Sequence, residues 1–171
     1  MIETERLILR PTSAEDGAFI HQLVNTPKWL RFIGDRNIHS PAEAAKYIEE
    51  KMRPQLKTHG FSNNTVIRKS DDKKLGTCGL YDRPGLEGID IGFAFLPEFE
   101  GQGYGFEAAS ALLEKAFAEY GLNKVVAITL PENIISQNLL KKLGMKQVDT
   151  ILLPPEEVEF LLFSIERGVP S

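Results

Sequence analysis

The stretch that decides the fold is IDIGFAFLPEFEGQGYGFEAASALLEKAFAEY, residues 89–120. Its first part, Ile89–Leu96, is apolar and rich in β-branched and aromatic residues, which predicts a buried strand that Pro97 ends. A loop of alternating glycines follows, and behind it apolar residues recur with helical spacing from Phe106 to Tyr120. Gly121 stands where a glycine commonly closes a helix. The segment is therefore predicted to be a strand, a glycine turn and a helix.

The glycine loop, Gly101–Phe106, has the composition of an anion-binding turn. Glycines let a ligand approach the backbone closely, and exposed N–H groups at the positive end of a helix dipole favour phosphate. The loop matches neither common nucleotide pattern, because Phe106 replaces the last glycine of the dinucleotide fingerprint and Glu107 replaces the lysine of the phosphate loop. From these residues alone, a phosphate site and a plain helix-entry turn with incidental glycines both remain open.

Four stretches of the chain match one known pattern in the same order: Thr4–Pro11, Leu75–Leu80, Leu96–Ala108 and Asn133–Met145. They resemble the opening strand, the third strand, the acetyl-CoA-binding signature and the second cofactor motif of GNAT N-acetyltransferases. Within this family, the sequence most resembles the branch that acetylates the N-terminal alanine or serine of ribosomal proteins. It implies an acetyl-CoA-dependent N-acetyltransferase that moves an acetyl group to a primary amine, either a protein N-terminus or a small amine, by direct attack on the thioester.

The order of predicted elements gives an α/β (α+β) fold. Strands are expected at 6–10, 61–69, 75–81, 89–96, 124–130, 148–153 and 158–165, and helices after Ser13, from Ser40 to about Arg53, over 106–120 and after Asn133. Short loops between strands imply hairpins, whereas the helical crossover before 124–130 implies a parallel pair with 89–96. The order β-α-α-β-β-β-α-β-α-β-β therefore predicts a GNAT-like mixed, mostly antiparallel central sheet flanked by helices.

Length and composition are those of one globular domain, residues 1–171, with 42% hydrophobic and 26% charged residues. The net charge of −4 argues against general nucleic-acid binding. No apolar run approaches the roughly 18–20 residues of a membrane helix, and the N-terminus has no signal-peptide character, so a cytoplasmic protein is expected. The single cysteine, Cys78, excludes an internal disulfide and a cysteine zinc cluster, and we expect it to be a buried small hydrophobe. No metal is expected.

The resemblance also implies where acetyl-CoA would bind. Pantetheine is expected between the strands 89–96 and 124–130, which splay apart in the family, and the pyrophosphate is expected on the N–H groups of the glycine loop. Asn133 and Ser136 match the family's Asn-x-x-Ser and are expected at the pantetheine or thiol end. Glu100 stands where the family often has Arg or Gln, which removes one favourable contact with the pyrophosphate. The expected cofactor residues are Phe93, Ala94, Phe95, Leu96, Gly101, Gln102, Gly103, Tyr104, Gly105, Phe106, Asn133, Ser136, Asn138 and Lys141.

Proton transfer is where the sequence departs from the family. Many GNAT enzymes carry a tyrosine that protonates the leaving thiolate, but the matching position here is Leu140. Ser136 is the substitute hydroxyl that the resemblance offers, with a water as the alternative. Asp90 matches the acidic residue common in this branch and is the expected base, with Glu87 or a water chain as alternatives. Asp90 could equally be a solvated or strand-pairing carboxylate.

The acceptor and the assembly are the least determined features. By the same resemblance, Trp29, Phe32 and Asp35 are expected to face the acceptor, although Trp29 and Phe32 could instead pack helices on the sheet. The acceptor could be a protein N-terminus, a polyamine, an amino acid or an antibiotic amine. Dimerisation is common in the family, and Val158–Ile165 would be an apolar edge strand for a homodimer to cover. One other function stays open, a non-catalytic acyl-CoA-binding sensor or interaction module. A nucleotide-binding protein that uses the glycine loop is disfavoured, because the loop matches neither nucleotide pattern.

Overall fold

The computed structural model describes residues 1–154 and 157–167, in which helices flank one mixed sheet. The strands are β1 (Ile2–Glu3), β2 (Leu7–Pro11), β3 (Asn63–Arg68), β4 (Lys74–Tyr81), β5 (Asp90–Phe95), β6 (Lys124–Thr129), β7 (Lys146–Leu153) and β8 (Val158–Glu166). Their order across the sheet is β1-β2-β3-β4-β5-β6-β8-β7. Every neighbouring pair is antiparallel except β5 with β6, which is parallel.

The helices of the described residues are α1 (Gly17–Val24), α2 (Pro27–Phe32), α3 (Pro41–Tyr47), α4 (Arg53–His59), α5 (Tyr104–Ala118) and α6 (Ile134–Lys142). A π-helical turn, Ile48–Met52, joins α3 to α4. None of these helices combines the length and the apolar character that crossing a membrane requires. The predicted fold class and the parallel pairing of the two central strands are confirmed. The sequence analysis missed two short elements, β1 and α2.

The helix predicted to end before Pro54 continues to His59, so that prediction was wrong. In a regular α-helix a proline ring meets the carbonyl group four residues earlier. The wider π-helical turn ends at Met52 and changes that spacing, and Pro54 then lies in the first turn of α4, where no N–H donor is required. Gly60, with φ of +80°, ends the helix instead.

Two apolar clusters lie on opposite faces of the sheet, because successive residues of β5 point in opposite directions. Phe93 and Phe95 pack against the cluster that contains the buried face of α5. Ala94 and Leu96 belong instead with the buried residues of α1 and α3. We call these the α5 face and the α1 face. Cys78 is fully buried in the α5-face cluster, as predicted, and burial raises the pKa of its thiol to about 12.

The two parallel strands meet only at their beginnings. Asp90 pairs with Val126, and the Val126 N–H donates to the Ile89 carbonyl at 2.9 Å, but no later residue of β5 has a partner in β6. Along its other edge β5 stays paired with β4 through to Phe95. Backbone groups alternate in direction along a strand, so the N–H and C=O groups of Ile91, Phe93 and Phe95 face the gap between β5 and β6.

The expectation that Val158–Ile165 forms an edge strand was wrong, because β8 lies between β6 and β7. The physical reason is apolar content: Phe163 of β8 is completely buried, whereas Val148 and Leu152 of β7 are exposed. The edge strand on this side of the sheet is therefore β7. Of the predicted hairpin turn at 154–157, residues 155 and 156 lie outside the described residues. The homodimer remains a prediction.

Candidate active site

A cavity of about 620 Å³ lies along β5 and the gap beside it. Residues of α1, such as Ile20 and Leu23, line it on one face of the sheet, and residues of α6, such as Leu139, line it on the other. We distinguish two regions at opposite ends of β5. The loop end contains Gly101, Gly103–Phe106, Asn133, Ser136 and Lys142, and the Asp90 end contains Gln55, Asn63, Tyr81, Arg83 and Asp90.

The loop end presents backbone donors. Gly101 and Gly103 have φ of +74° and +83°, a conformation that favours glycine, and Gly103 is the left-handed residue after which α5 begins at Tyr104. The first N–H groups of a helix have no intrahelical acceptor. In the described part of the chain, no N–H group from Gly101 to Phe106 donates to a side chain or to another loop. These donors, at the N-terminus of a 15-residue helix, are suited to binding an anion.

Arg6 binds this loop and forms an ion pair with the Glu107 carboxylate. Its guanidinium donates to the Gln102 carbonyl at 3.1 Å and to Glu107 Oε1 at 2.7 Å, and lies 4.3 Å from the Tyr104 ring centroid. The Thr4 hydroxyl and the Arg6 N–H both donate to Glu107 Oε2. Burial acts to raise the pKa of Glu107, but these hydrogen bonds outweigh it and lower the pKa. Glu107 is therefore held as an anion whose charge is compensated by Arg6, beside a site suited to phosphate.

Charged side chains complete the loop end in a way that sequence alone did not predict. The Lys142 ammonium lies 4.4 Å from the Phe106 ring centroid and lines the cavity. Its neighbour Lys141 does not line the cavity, although both lysines are exposed. Glu100 forms an ion pair with Lys28 at the start of α2. The acidic residue that stands in place of the family's Arg or Gln is thus paired within the protein.

The Asn-x-x-Ser motif forms the start of α6. The Asn133 side chain caps the helix by accepting a hydrogen bond from the Ser136 N–H at 3.2 Å, and both residues line the cavity. The cap fixes the backbone of Ser136 and leaves its hydroxyl available. Leu140 is buried on the same helix and also borders the cavity. A proton-donating side chain is therefore missing at that position, as the sequence indicated.

Asp90 is almost fully buried at the start of β5 and lines the cavity. Its carboxylate accepts hydrogen bonds from the Arg83 guanidinium at 3.2 and 3.4 Å. Burial raises the pKa of Asp90, although the Arg83 charge acts in the opposite direction. Glu87, the alternative base, is exposed and does not border the cavity. The geometry favours Asp90 over Glu87 as the group that could accept a proton.

The predicted acceptor residues separate into two groups. Trp29 and Phe32 of α2 both line the cavity, and the Trp29 indole N–H is buried without a hydrogen-bond partner among the described residues. Trp29 also packs against the α1-face cluster, so it fulfils the packing role as well. Asp35 is exposed, lies outside the cavity lining and accepts a hydrogen bond from the Asn37 N–H at 2.8 Å.

Among the predicted cofactor residues, the structure brings ten to the cavity: Phe93, Ala94, Phe95, Gly101, Gly103, Tyr104, Gly105, Phe106, Asn133 and Ser136. Four others do not line it: Leu96, Gln102, Asn138 and Lys141. Leu96 is buried in the α1-face cluster, and the remaining three are exposed. The sequence analysis missed Arg6, Tyr81, Arg83 and Lys142. Arg83 and Tyr81 could have been found from the register of the hairpin, since Tyr81 pairs with Asp90.

The cavity is more basic than the protein as a whole, which carries a net charge of −4. Two of its three acidic lining residues are paired with a cation, Asp90 with Arg83 and Glu100 with Lys28, and the third, Asp82, contacts the His59 imidazole at 3.1 Å. Three further basic residues of the lining, Arg36, Lys51 and Lys142, form no ion pair among the described residues. Arg36 is half-buried and lies 5.9 Å from the Trp29 ring centroid.

The sequence is similar to those of known acetyltransferases. A family model described as "Acetyltransferase (GNAT) domain" matches residues 6–146. The uncharacterized N-acetyltransferase YnaD of Bacillus subtilis (strain 168) is 27% identical over 146 residues, 85% of this chain and 82% of that protein. The spermidine N(1)-acetyltransferase of Escherichia coli (strain K12) is 26% identical over 137 residues, 80% of this chain and 70% of that protein.

Solved acetyltransferase structures share this fold. The crystal structure of the ribosomal-protein-S5-alanine acetyltransferase from Vibrio fischeri aligns with a TM-score of 0.80, covering 96% of this chain and 94% of that one. The two sequences are 18% identical, so the likeness concerns the fold.

Proposed function

Because the chain belongs to the GNAT family of acetyltransferases, which use acetyl-CoA to acetylate amines, we propose that it transfers an acetyl group to a primary amine by direct attack on the thioester. The observation that carries the proposal is that the glycine loop, the open edge of β5 and the buried Asp90 all line one cavity. Binding of the acetyl donor and proton removal would then occur in one continuous space.

The loop end supports the binding of acetyl-CoA by the residues that were predicted for it. The free N–H groups of the glycine loop suit the pyrophosphate, and Lys142 adds a cation beside them. The unpaired backbone groups of Phe93 and Phe95 suit the amides of pantetheine. A backbone N–H of β5 that faces the gap would also stabilise the charge that develops on the thioester oxygen.

Acetyl-CoA supplies the acetyl group as a thioester, and the chain must move two protons. As the amine nitrogen bonds to the carbonyl carbon and the C–S bond breaks, the amine loses one proton and the thiolate gains one. Asp90 would accept the first, directly or through a water, because its carboxylate borders the cavity and its pKa is raised by burial. Ser136 would donate the second, with a water as the alternative.

The charges of the cavity bear on the acceptor. A polyamine needs unpaired carboxylates, but two of the three acidic residues of the lining, Asp90 and Glu100, are already paired with a cation, while Arg36 and Lys51 form no ion pair among the described residues. We therefore propose an acceptor that is neutral apart from its amine or carries an anionic group, such as an amino acid or a peptide N-terminus. The spermidine acetyltransferase of Escherichia coli is a relative, so polyamines belong in the test.

The experiment is a thiol-release assay with purified protein, acetyl-CoA and three acceptor classes: spermidine, free amino acids and peptides with Ala or Ser at the N-terminus. We expect turnover with the second or third class and little with spermidine. Arg36→Gln should raise the KM of an acceptor that carries a carboxylate and leave the KM of its amide derivative unchanged. Efficient turnover of spermidine would contradict the proposed acceptor class. Binding of acetyl-CoA without thiol release from any acceptor would favour a non-catalytic acyl-CoA-binding module.

A further inference from the structure

Tyr81 lies flat across two glycines of the α1 face. A Cβ atom at Gly79 would lie 2.7 Å from the Tyr81 hydroxyl oxygen, and a Cβ atom at Gly92 would lie 3.0 Å from its Cε2 atom. Gly79 and Gly92 are directly paired across β4 and β5, so together they leave the space that the ring occupies. Because the ring fits over these glycines, the hydroxyl reaches β3, where it donates a hydrogen bond to Asn63 Oδ1. Both Tyr81 and Asn63 line the cavity.

A buried chain of hydrogen bonds continues from Asn63 away from the cavity. Asn63 Nδ2 donates to Thr12 Oγ1 at 2.8 Å, Thr12 Oγ1 and Thr65 Oγ1 are 2.9 Å apart, and the Thr65 hydroxyl donates to Asp16 Oδ2 at 3.1 Å. Thr12, Thr65 and Asp16 are buried and do not line the cavity. We call this chain from Tyr81 to Asp16 the relay.

The relay ends on a carboxylate that is held ionised. Asp16 is completely buried and accepts hydrogen bonds from Arg10 at 2.7 and 2.8 Å and from the Ser13 N–H at 3.0 Å, and it pairs with Lys74 at 2.7 Å. Burial acts to raise its pKa, but the hydrogen bonds from Arg10, Lys74 and Ser13 outweigh it and hold the pKa of Asp16 well below its usual range. An ionised carboxylate accepts hydrogen bonds and cannot donate one.

This fixed end determines the direction of every bond in the relay. The single hydrogen of Thr65 is used on Asp16, so Thr12 must donate to Thr65. Thr12 then accepts from the Asn63 amide nitrogen, which turns the Asn63 oxygen toward Tyr81. The only hydrogen of the Tyr81 hydroxyl is therefore committed to Asn63, and the lone pairs of its oxygen remain.

We propose that the Tyr81 oxygen accepts a hydrogen bond from the acceptor amine in the cavity, and that the relay to Asp16 keeps Tyr81 in this accepting role. Tyr81 is then an amine-binding residue, and Thr65 and Asp16 are positioning residues that act through it. The proposal rests on the proposed function, since it assigns the amine of that same reaction. It places the amine in the same end of the cavity as Asp90, because Asn63, Tyr81 and Asp90 all line that end.

The first test removes the hydroxyl and keeps the ring. In Tyr81→Phe we expect the KM for the acceptor amine to rise about three- to tenfold, since the hydrogen bond that the amine donates is lost, while the affinity for acetyl-CoA stays the same. Tyr120→Phe is the control: Tyr120 packs in the α5-face cluster and is not part of the cavity lining. An unchanged amine KM in Tyr81→Phe would overturn the proposal.

The second test changes a relay residue, Thr65, that does not line the cavity. Thr65→Val removes the acceptor for Thr12, so that the Asn63 amide can turn over, donate to Tyr81 and redirect the tyrosine hydrogen into the cavity. We expect the amine KM to rise severalfold with an unchanged KM for acetyl-CoA, and Thr65→Ser, which retains the hydroxyl, to restore it. A purely structural role for Thr65 would lower the melting temperature without this selective change. A wild-type amine KM in a folded Thr65→Val protein would contradict the relay.

A third readout does not depend on turnover. In solution NMR, we expect the committed Tyr81 hydroxyl to give a slowly exchanging proton resonance that is absent from Tyr81→Phe, is retained in Thr65→Ser and exchanges rapidly in Thr65→Val. Addition of ethanolamine as a simple amine probe should shift this resonance in the wild-type protein. The wild-type protein could show these effects and yet release no thiol with any amine. That result would contradict the proposed reaction and support amine binding by Tyr81. The absence of the resonance, or its insensitivity to ethanolamine, would overturn the inference.

Discussion

The two ends of β5 are built in opposite ways. At the loop end, the groups that would bind the ligand are backbone N–H donors from consecutive residues, and the side chains of Arg6 and Lys142 only adjust the charge around them. At the Asp90 end, the groups are side chains that reach the cavity from β3, β4, β5 and α4. One end depends on a local backbone conformation, and the other depends on strand register.

This difference explains which part of the site can vary. A phosphate site made of backbone amides tolerates many side chains as long as the glycine conformations and the helix start are kept. An acceptor site made of side chains changes with single substitutions. We therefore expect substitutions at the loop end to alter the affinity for acetyl-CoA, and substitutions at the Asp90 end to alter the rate and the choice of acceptor.

The largest effect should come from Asp90→Asn, which removes the proposed base without changing its size. We expect kcat to fall by about 100- to 10,000-fold, the usual contribution of a positioned acid or base, with little change in acetyl-CoA affinity. Burial raises the pKa of Asp90, so wild-type kcat/KM should fall as the pH drops through a value above that of an exposed aspartate. The measurement is a pH profile of thiol release.

The same raised pKa has a consequence for stability. A carboxyl group whose pKa is higher in the folded state contributes stability that is present at low pH and is lost as the pH rises through the folded-state pKa. The melting temperature of Asp90→Asn should therefore increase relative to that of the wild type as the pH rises. Asp71→Asn is the control, since Asp71 also pairs with an arginine, Arg68 at 2.6 Å, but lies outside the cavity lining. Full activity in Asp90→Asn would assign the proton to a water chain instead.

A smaller effect is expected from Gly103→Ala at the loop end. The left-handed conformation costs a non-glycine residue about 1–2 kcal/mol, and the new methyl group would lie 3.3 Å from Arg6 Nη2. We expect the Kd for acetyl-CoA, measured by calorimetry, to rise about tenfold, with kcat at saturation nearly unchanged. Gly60→Ala is the matched control, because Gly60 has φ of +80°, no neighbour within 4 Å of the new methyl group and no place in the cavity. Equal loss of acetyl-CoA affinity in both variants would refute a specific role for the loop.

The loop end could be predicted from the sequence because consecutive residues form it. The glycines of 101–105, the apolar spacing behind them and the Asn133 cap each have a local physical meaning, and the structure has the elements that they predicted. The parallel pair of central strands followed from the helical crossover between them. In each case the information lies within one segment of chain.

The remainder depends on contacts between segments that are distant in the sequence. Tyr81 is remote from Asn63 and Asp16 along the chain, and only the register of β3, β4 and β5 brings them into one network. The exchange of β7 and β8 at the sheet edge depends on which strand buries more apolar surface against β6. The π-helical turn before Pro54 likewise has no local signature in this sequence. These features had no signal within a single segment.

The smallest expected effect separates the two lysines at the end of α6. Neighbouring helical residues point about 100° apart, and this rotation brings Lys142 to the cavity while Lys141 faces outward. Lys142→Ala should weaken acetyl-CoA binding about two- to fivefold at low salt, because an exposed ion pair contributes little, and the difference should shrink at high salt. Lys141→Ala is the matched control and should bind as the wild type does. If Lys141→Ala weakened binding more than Lys142→Ala, the cofactor phosphates would have to leave the cavity along the outer side of α6, which would support the original prediction for Lys141 and Asn138.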